Sequence, residues 1–279
     1  MKVLNFGSLN IDFVYRVRQF VRPGETIAAS GFAKFAGGKG LNQSIALARA
    51  GAKVIHAGAV GADGGFLLAL LCENGVDCSA VEVVDGVSTG HALIQVADSG
   101  ENAIVLHPGA NHCISTELIE RALGMAGQGD ILLLQNEISG IIDIMGRARE
   151  RGMRIFFNPA PMTDTVAAYP LEWVDTLIVN ETEWEALSAL RPSFDGNILK
   201  TLGAKGAVYN EKIFVPARQV DEVVDTTAAG DTFIGYFIAE SLAGRDAESA
   251  MRTAALASAW CVRHSGAEPS IPRRTDLGI

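Results

Sequence analysis

Residues 54–60, Val-Ile-His-Ala-Gly-Ala-Val, form a short apolar run that ends in Gly61-Ala-Asp-Gly64 and gives way to a helical stretch over 66–74. The same unit, a buried strand, a Gly-bearing or polar turn and then a helix, recurs along the chain. Residues 2–7 read as a strand closed by Gly7-Ser8, and small residues at 41–50 suit a tightly packed helix. Later come a helix over 114–125, a strand over 131–135, a helix over 138–150 and strands over 154–158 and 176–179. Residues 231–242 and 247–262 read as two helices rich in small residues. Strands that are apolar on both faces need helices on both sides, so the pattern constrains the chain to an α/β fold with a mostly parallel sheet.

One region breaks this rhythm. Residues 91–96 and 102–106 predict a hairpin across Asp98-Ser99-Gly100, and residues 12–35, with their Pro23-Gly24 turn, read as strands. The two segments are expected to form a small sheet appended to the main one. No internal repeat or low-complexity linker appears, so residues 1–279 are expected to form one α/β domain carrying an inserted lid.

Composition narrows the function classes. A hydrophobic fraction of 48% argues against disorder, and no apolar run reaches membrane-spanning length. With 23 Lys and Arg against 32 Asp and Glu, the net charge is −9 and no basic patch is visible, so neither nucleic acid nor a membrane is expected as a partner. The first apolar stretch is broken by Asn5, Gly7, Asn10 and Asp12, unlike a signal sequence, and a cytoplasmic protein is expected. Cys72, Cys78, Cys113 and Cys261 lack metal-ligand spacing and read as free, buried thiols. The five His show no HExxH pattern, and no GxSxG elbow is present.

The strongest local signal is Asp225-Thr-Thr-Ala-Ala-Gly-Asp231 directly before a helix. Small residues there leave backbone N–H groups open to an anion, and Asp231 can take a proton from a substrate hydroxyl. It can equally be a helix cap. Gly37-Gly-Lys-Gly-Leu-Asn42 fits neither a GxxxxGK[ST] nor a GxGxxG loop, yet it permits close ligand approach, with Lys39 and Asn42 as polar contacts; a plain turn is the alternative. Asn10 and Asp12, Asn136 and Glu137, and Asn180-Glu-Thr-Glu183 each follow a strand, where open α/β sheets bind ligands. Glu183 can organise Mg²⁺ through water, or simply cap a helix.

The order and wording of these motifs resemble the ribokinase-like, or PfkB-type, carbohydrate kinases. The resemblance runs through Gly7-Ser-Leu-Asn-Ile-Asp12, Pro23-Gly-Glu-Thr26, Gly37-Gly-Lys-Gly-Leu-Asn-Gln43, Gly109-Ala-Asn111, Asn158-Pro-Ala-Pro161, Asn180-Glu-Thr-Glu183, Thr201-Leu-Gly203, 225–233 and 266–270. It implies a three-layer α/β sandwich with a mostly parallel central sheet and a small β lid over about 12–35 and 88–106. It also implies transfer of the γ-phosphoryl group of ATP to a primary sugar hydroxyl, D-ribose first. Fructose, deoxyribose, a nucleoside or pseudouridine are alternatives, as is a sugar-binding regulatory protein without turnover.

Carried over by position, the resemblance makes Asp231 the general base and Ala228, Ala229 and Gly230 the anion hole. It assigns the sugar to Asn10, Asp12, Gly38, Lys39, Asn42 and Glu137. Asn180 and Glu183 match the donor-phosphate and Mg²⁺ motif, while Thr201 and Gly203 match nucleotide contacts. Asp225, Thr227, Cys261, His264, Gly266 and Ser270 match the loops that hold an activating monovalent cation, K⁺, and the lid matches a homodimer interface. In one respect the chain departs from the family. A helix and a full strand ordinarily separate the Asn180–Glu183 and Thr201–Gly203 motifs, but here 184–200 leaves room for a short helix, a turn at 191–196 and a clipped strand. The nucleotide side is where that shortening would be felt.

Overall fold

A computed structural model describes residues 1–191 and 193–279; the expected turn at 191–196 includes Pro192, which lies outside the described residues. Nine strands form the central sheet in the order β13-β12-β11-β10-β9-β8-β1-β4-β5. They are β1 Val3–Phe6, β4 Val54–Val60, β5 Asp77–Val83, β8 Ile131–Gln135, β9 Arg154–Asn158, β10 Thr176–Asn180, β11 Asn197–Thr201, β12 Gly206–Tyr209 and β13 Ile213–Pro216. The pairings from β5 across to β11 are parallel, and β12 and β13 close one edge antiparallel.

Alternate residues of the strands feed two separate cores, as a sheet covered on both faces requires. Val3, Ile131, Leu133 and Phe156 pack with α1 Lys39–Arg49, α6 Ala229–Leu242 and α7 Ala247–Cys261. Leu4, Leu132, Leu134 and Phe157 pack on the opposite face with α3 Thr116–Leu123 and α4 Ile141–Glu150. The remaining helices are α2 Gly65–Glu73 and α5 Glu181–Leu190. Among the described residues no helix is long and apolar enough to cross a membrane.

A second, four-stranded sheet in the order β3-β2-β6-β7 is the expected appended sheet, built from β2 Asn10–Val17, β3 Gly31–Gly37, β6 Gly90–Ala97 and β7 Asn102–His107. The β6–β7 hairpin joins β2 in parallel, from Asn10↔Gly90 to Val17↔Ala97.

Two expectations need correction. The strand at 197–201 is not clipped: β11 pairs with β10 over all five residues, from Thr176↔Asn197 to Asn180↔Thr201. A single helix suffices because a parallel crossover needs only about a dozen residues. The cysteines are free, but only Cys261 is buried; Cys72 is exposed where α2 ends near the sheet edge, and Cys78 and Cys113 are half-buried.

Candidate active site

The end of β1, the start of α1 and the start of α6 converge. Gly40 allows this: a Cβ there would lie 2.3 Å from the Ser8 backbone nitrogen and 2.6 Å from Gly7 Cα. Gly38, at φ +96°, turns the chain from the lid strand β3 into α1. Lys39 therefore opens α1 with its backbone N–H donating to Glu137 Oε2 at 3.1 Å, and the Ser8 hydroxyl donates to the same oxygen.

Charge is concentrated here. Burial alone would lower the Lys39 ammonium, but the carboxylates of Asp231, Glu137 and Glu183 outweigh it and hold its pKa above the ordinary value. Burial, and then the Glu137 charge, push Asp12 up to about 6. Burial also raises Glu137, against the pull of Lys39 and the hydrogen bonds from Ser8 and Lys39. Asn10 accepts from Asn111 Nδ2 at 2.7 Å, while Asn111 Oδ1 takes the Leu9 N–H at 2.9 Å. Asn111 lies in a motif that carried the family resemblance but drew no role from the sequence.

Asp231 sits in the first turn of α6, only 9% exposed. Its Oδ2 accepts from Asn42 Nδ2 at 3.0 Å and its Oδ1 from Gln43 Nε2 at 2.8 Å. Ala228 caps the helix in a left-handed conformation, φ +60°. The Ala229 N–H is taken by the Thr226 carbonyl at 3.3 Å, whereas among the described residues the N–H groups of Ala228, Gly230 and Asp231 have no partner. The open amides of this turn are thus Ala228, Gly230 and Asp231, with Ala229 withdrawn from the expected set.

Two cavities adjoin this turn. One of about 220 Å³ is lined by Lys39, Asn158, Asn180, Glu183 and Asp231. The other, about 400 Å³, is lined by Gly203 and by apolar groups including Val220, Val223, Phe233, Ala255 and Ala259. They share Thr201, Thr226 and Gly230, so a trough runs from Asp231 into an apolar pocket. Neither cavity is lined by Asn10 or Asp12, which lie on β2 of the lid sheet, or by Glu137, which is tied to the first cavity through the Lys39 N–H. The apolar pocket escaped the sequence reading beyond Thr201, Gly203 and Gly230, because space left by small residues has no motif.

Asn180 and Glu183 form a capping box: the Glu183 N–H donates to Asn180 Oδ1 at 2.8 Å, and the Asn180 N–H to Glu183 Oε2 at 2.9 Å. Among the described residues no three His, Cys, Asp or Glu side chains come together tightly enough to hold a metal directly. Glu183, facing the cavity with one oxygen in the box, suits a hydrated Mg²⁺ held mainly by phosphates.

The proposed cation loops also meet. Asp225 Oδ1 accepts the Thr227 N–H at 2.9 Å and its hydroxyl at 2.6 Å, and Oδ2 accepts the Gly266 N–H at 2.9 Å. Burial raises the Asp225 carboxyl, but these three bonds outweigh it and hold the pKa below the usual value. Cys261 Sγ lies 3.5 Å from the Thr227 carbonyl and 3.0 Å from Ser270 Oγ. The His264 ring is not drawn into this knot: it stacks on Trp260, and its Nδ1 meets the Trp260 carbonyl at 2.8 Å.

Residues 1–274 match the pfkB family of carbohydrate kinases. The chain belongs to that family. It is 34% identical to a ribokinase of Haemophilus influenzae, over 97% of this chain and 95% of that one. It is 32% identical to a deoxyribokinase of Salmonella typhi, over 98% and 96%. A ribokinase from Cryptococcus neoformans, solved in complex with ADP, superposes with a TM-score of 0.87 at 35% identity, covering 99% of this chain and 98% of that one. As a pfkB kinase, the chain carries the α/β sandwich with its appended sheet, and β11 pairs in full with β10 despite the shortened 184–200 segment.

Proposed function

We propose that this protein is an ATP-dependent kinase that phosphorylates the primary hydroxyl of D-ribose to give ribose 5-phosphate. The observation that carries the reading is the position of Asp231. Its carboxylate lies where the lidded polar cluster, the open amides of α6 and the trough to the apolar pocket meet.

Asn10, Asp12, Gly38, Lys39, Asn42 and Glu137 hold the sugar, and the apolar pocket with Thr201 and Gly203 holds the nucleotide. Asp231 accepts the proton of the hydroxyl as its oxygen bonds to the γ-phosphorus. The bond from phosphorus to the bridging oxygen breaks and ADP departs. Charge on the transferred group and the leaving oxygen is met by Lys39 and by the open N–H groups of Ala228, Gly230 and Asp231. Bound Mg²⁺, organised through water by Glu183 and Asn180, supplies positive charge to the donor phosphates. Asp225, Thr227, Cys261, His264, Gly266 and Ser270, mostly through backbone carbonyls, would hold a K⁺ ion, whose charge would steady the loop that leads into the α6 turn.

A homodimer through the lid is part of this reading. Phe35, Ile104 and Leu106 are about half exposed there, at 47%, 52% and 56%, and project from one face of that sheet. A cytoplasmic location accompanies it, where ATP is available and free thiols persist.

The test is phosphoryl transfer by purified protein with ATP and Mg²⁺, with and without K⁺, against ribose, deoxyribose, fructose and nucleosides. The highest kcat/KM is expected for ribose, with activation by K⁺. A preference for deoxyribose, which the 32% identical deoxyribokinase makes the second reading, would replace the substrate but keep the mechanism. Saturable sugar binding without turnover on any member of the panel would point to the regulatory protein instead.

A further inference from the structure

Beneath the active site lies a chain of fully buried polar side chains, Asn5, Gln43, Ser44 and Gln135, that the reaction does not touch. Its donor direction is fixed from one end. The Gly40 carbonyl can only accept, so Asn5 Nδ2 faces it at 2.8 Å and reaches Ser44 Oγ at 2.8 Å as well. Ser44 Oγ also lies 2.8 Å from His56 Nδ1, and burial pushes that ring down to about 4, so it is neutral. Asn5 Oδ1 is thereby turned toward Gln135, which donates through Nε2 to it at 3.0 Å and to Gln43 Oε1 at 2.7 Å. With its oxygen occupied, Gln43 must present its Nε2 to Asp231 Oδ1 at 2.8 Å.

A second branch enforces the same sense. Asn158 Nδ2 donates to the Ile178 carbonyl at 2.9 Å, leaving Asn158 Oδ1 to accept from Gln43 Nε2 at 3.2 Å. Gln135 Oε1 is buried with no partner. Leaving such a group unpaired is costly, so the arrangement persists only because its alternatives are worse. Turning the Gln135 amide over would relieve nothing, because it would aim that oxygen at the oxygens of Asn5 and Gln43.

We propose that Gln135 is a positioning residue for phosphoryl transfer, locking the Gln43 amide so that its N–H, and never its oxygen, faces Asp231. The Gln43 proton is not transferred. Its donation holds one carboxylate oxygen in place and stabilises the anion while the sugar hydroxyl yields its proton to Asp231. The proposal rests on Asp231 being the base.

The experiment measures kcat, sugar KM and the pH profile of kcat/KM for Gln135→Glu and Gln135→Met, with Asp231→Asn beside them. Both Gln135 variants lack the N–H that the Gln43 oxygen requires. We expect kcat to fall about tenfold or more with sugar KM changed less than about threefold, as loss of a hydrogen bond to a charged group implies. The pH profile of kcat/KM should change as well, because the donor that braces the Asp231 carboxylate is lost. Sugar binding and a cooperative melt identify folded protein; if Gln135→Glu does not fold, Gln135→Met gives the same readout. In the unaltered protein, NMR should show the Gln43 side-chain amide protons protected from solvent exchange. Rapid exchange there, or folded Gln135 variants with normal kcat and pH profile beside an inactive Asp231→Asn, would overturn the proposal. An active Asp231→Asn would instead remove the base on which it rests.

Discussion

Asn42 donates through Nδ2 to Asp231 Oδ2 at 3.0 Å, and its own Oδ1 is buried without a partner. One side chain thus braces the proposed base while its own oxygen stays buried and unpaired. Asn42→Asp keeps the shape but sets a second carboxylate against Asp231. Like charge disfavours ionisation, so the acid limb of the kcat/KM profile should rise, with kcat/KM at pH 7 lower by about a hundredfold. A profile unchanged in shape would show that Asn42 serves only the sugar.

Asp12 gives a pH dependence of different origin. Its pKa is raised from 3.8 to about 6, so its protonated form favours the folded protein; that contribution is complete below about pH 4 and lost as pH rises through 6. At pH 7 the buried anion destabilises the sugar-free protein. Asp12→Asn should therefore be more stable at pH 7, by something on the order of 2 kcal/mol, with the difference shrinking toward pH 4. Ribose affinity should weaken below pH 6 in the native protein and be poor at every pH in the variant. Denaturant midpoints and ribose titrations at pH 4, 6 and 7 check both halves.

Ala228 holds φ +60°, which costs a residue with a Cβ about 1–2 kcal/mol. Glycine removes that strain but brings a more flexible unfolded chain. Ala228→Gly should raise stability by about 0.5–1 kcal/mol, and Ala228→Val should lower it by more than that. Urea unfolding midpoints would show the order Gly, Ala, Val; any other order would mean that this turn is not strained.

Ala255 lines the apolar cavity and is 9% exposed. Filling that space with Ala255→Phe should raise KM for ATP about tenfold while leaving the sugar KM within about twofold. Separate titrations of the two substrates decide it. Equal increases in both constants would place the cavity outside the donor site.

Much of the architecture was legible because a strand buried on both faces followed by a glycine and a helix has few solutions. Residues 77–83 were not read as a strand: Asp-Cys-Ser-Ala-Val-Glu-Val mixes polar with apolar residues and forms an edge, β5, paired among the described residues only with β4. The strands at 206–209 and 213–216 were likewise not read from the sequence. At the site, Lys39, Asn42 and Asp231 announced themselves as charge and amide beside glycines. Gln43, Asn158 and Gln135 did not, since each looks like an ordinary residue near a turn. Their meaning arises only when α1, β8 and β9 bring Asn158 and Gln135 together around Gln43, which alone of the three touches the Asp231 carboxylate. The Asn180–Glu183 pair shows the converse limit: its geometry is a complete capping box, so spacing alone could not separate a cap from a cation-organising pair.

The lid sheet has a lever geometry. Asn10 is paired with both Gly37 and Gly90, so the row by which the lid leaves the body contains a sugar-contacting residue at its centre. At about 3.3 Å per residue, Asp12 stands only about 7 Å from that row, while the far end of β2 is more than about 20 Å away. A swing of about 10° would then carry the tip through several ångströms and shift Asp12 by little more than about 1 Å. The residues proposed to grip the sugar sit near the fulcrum, so a lid that swings would travel far while the grip stayed in register.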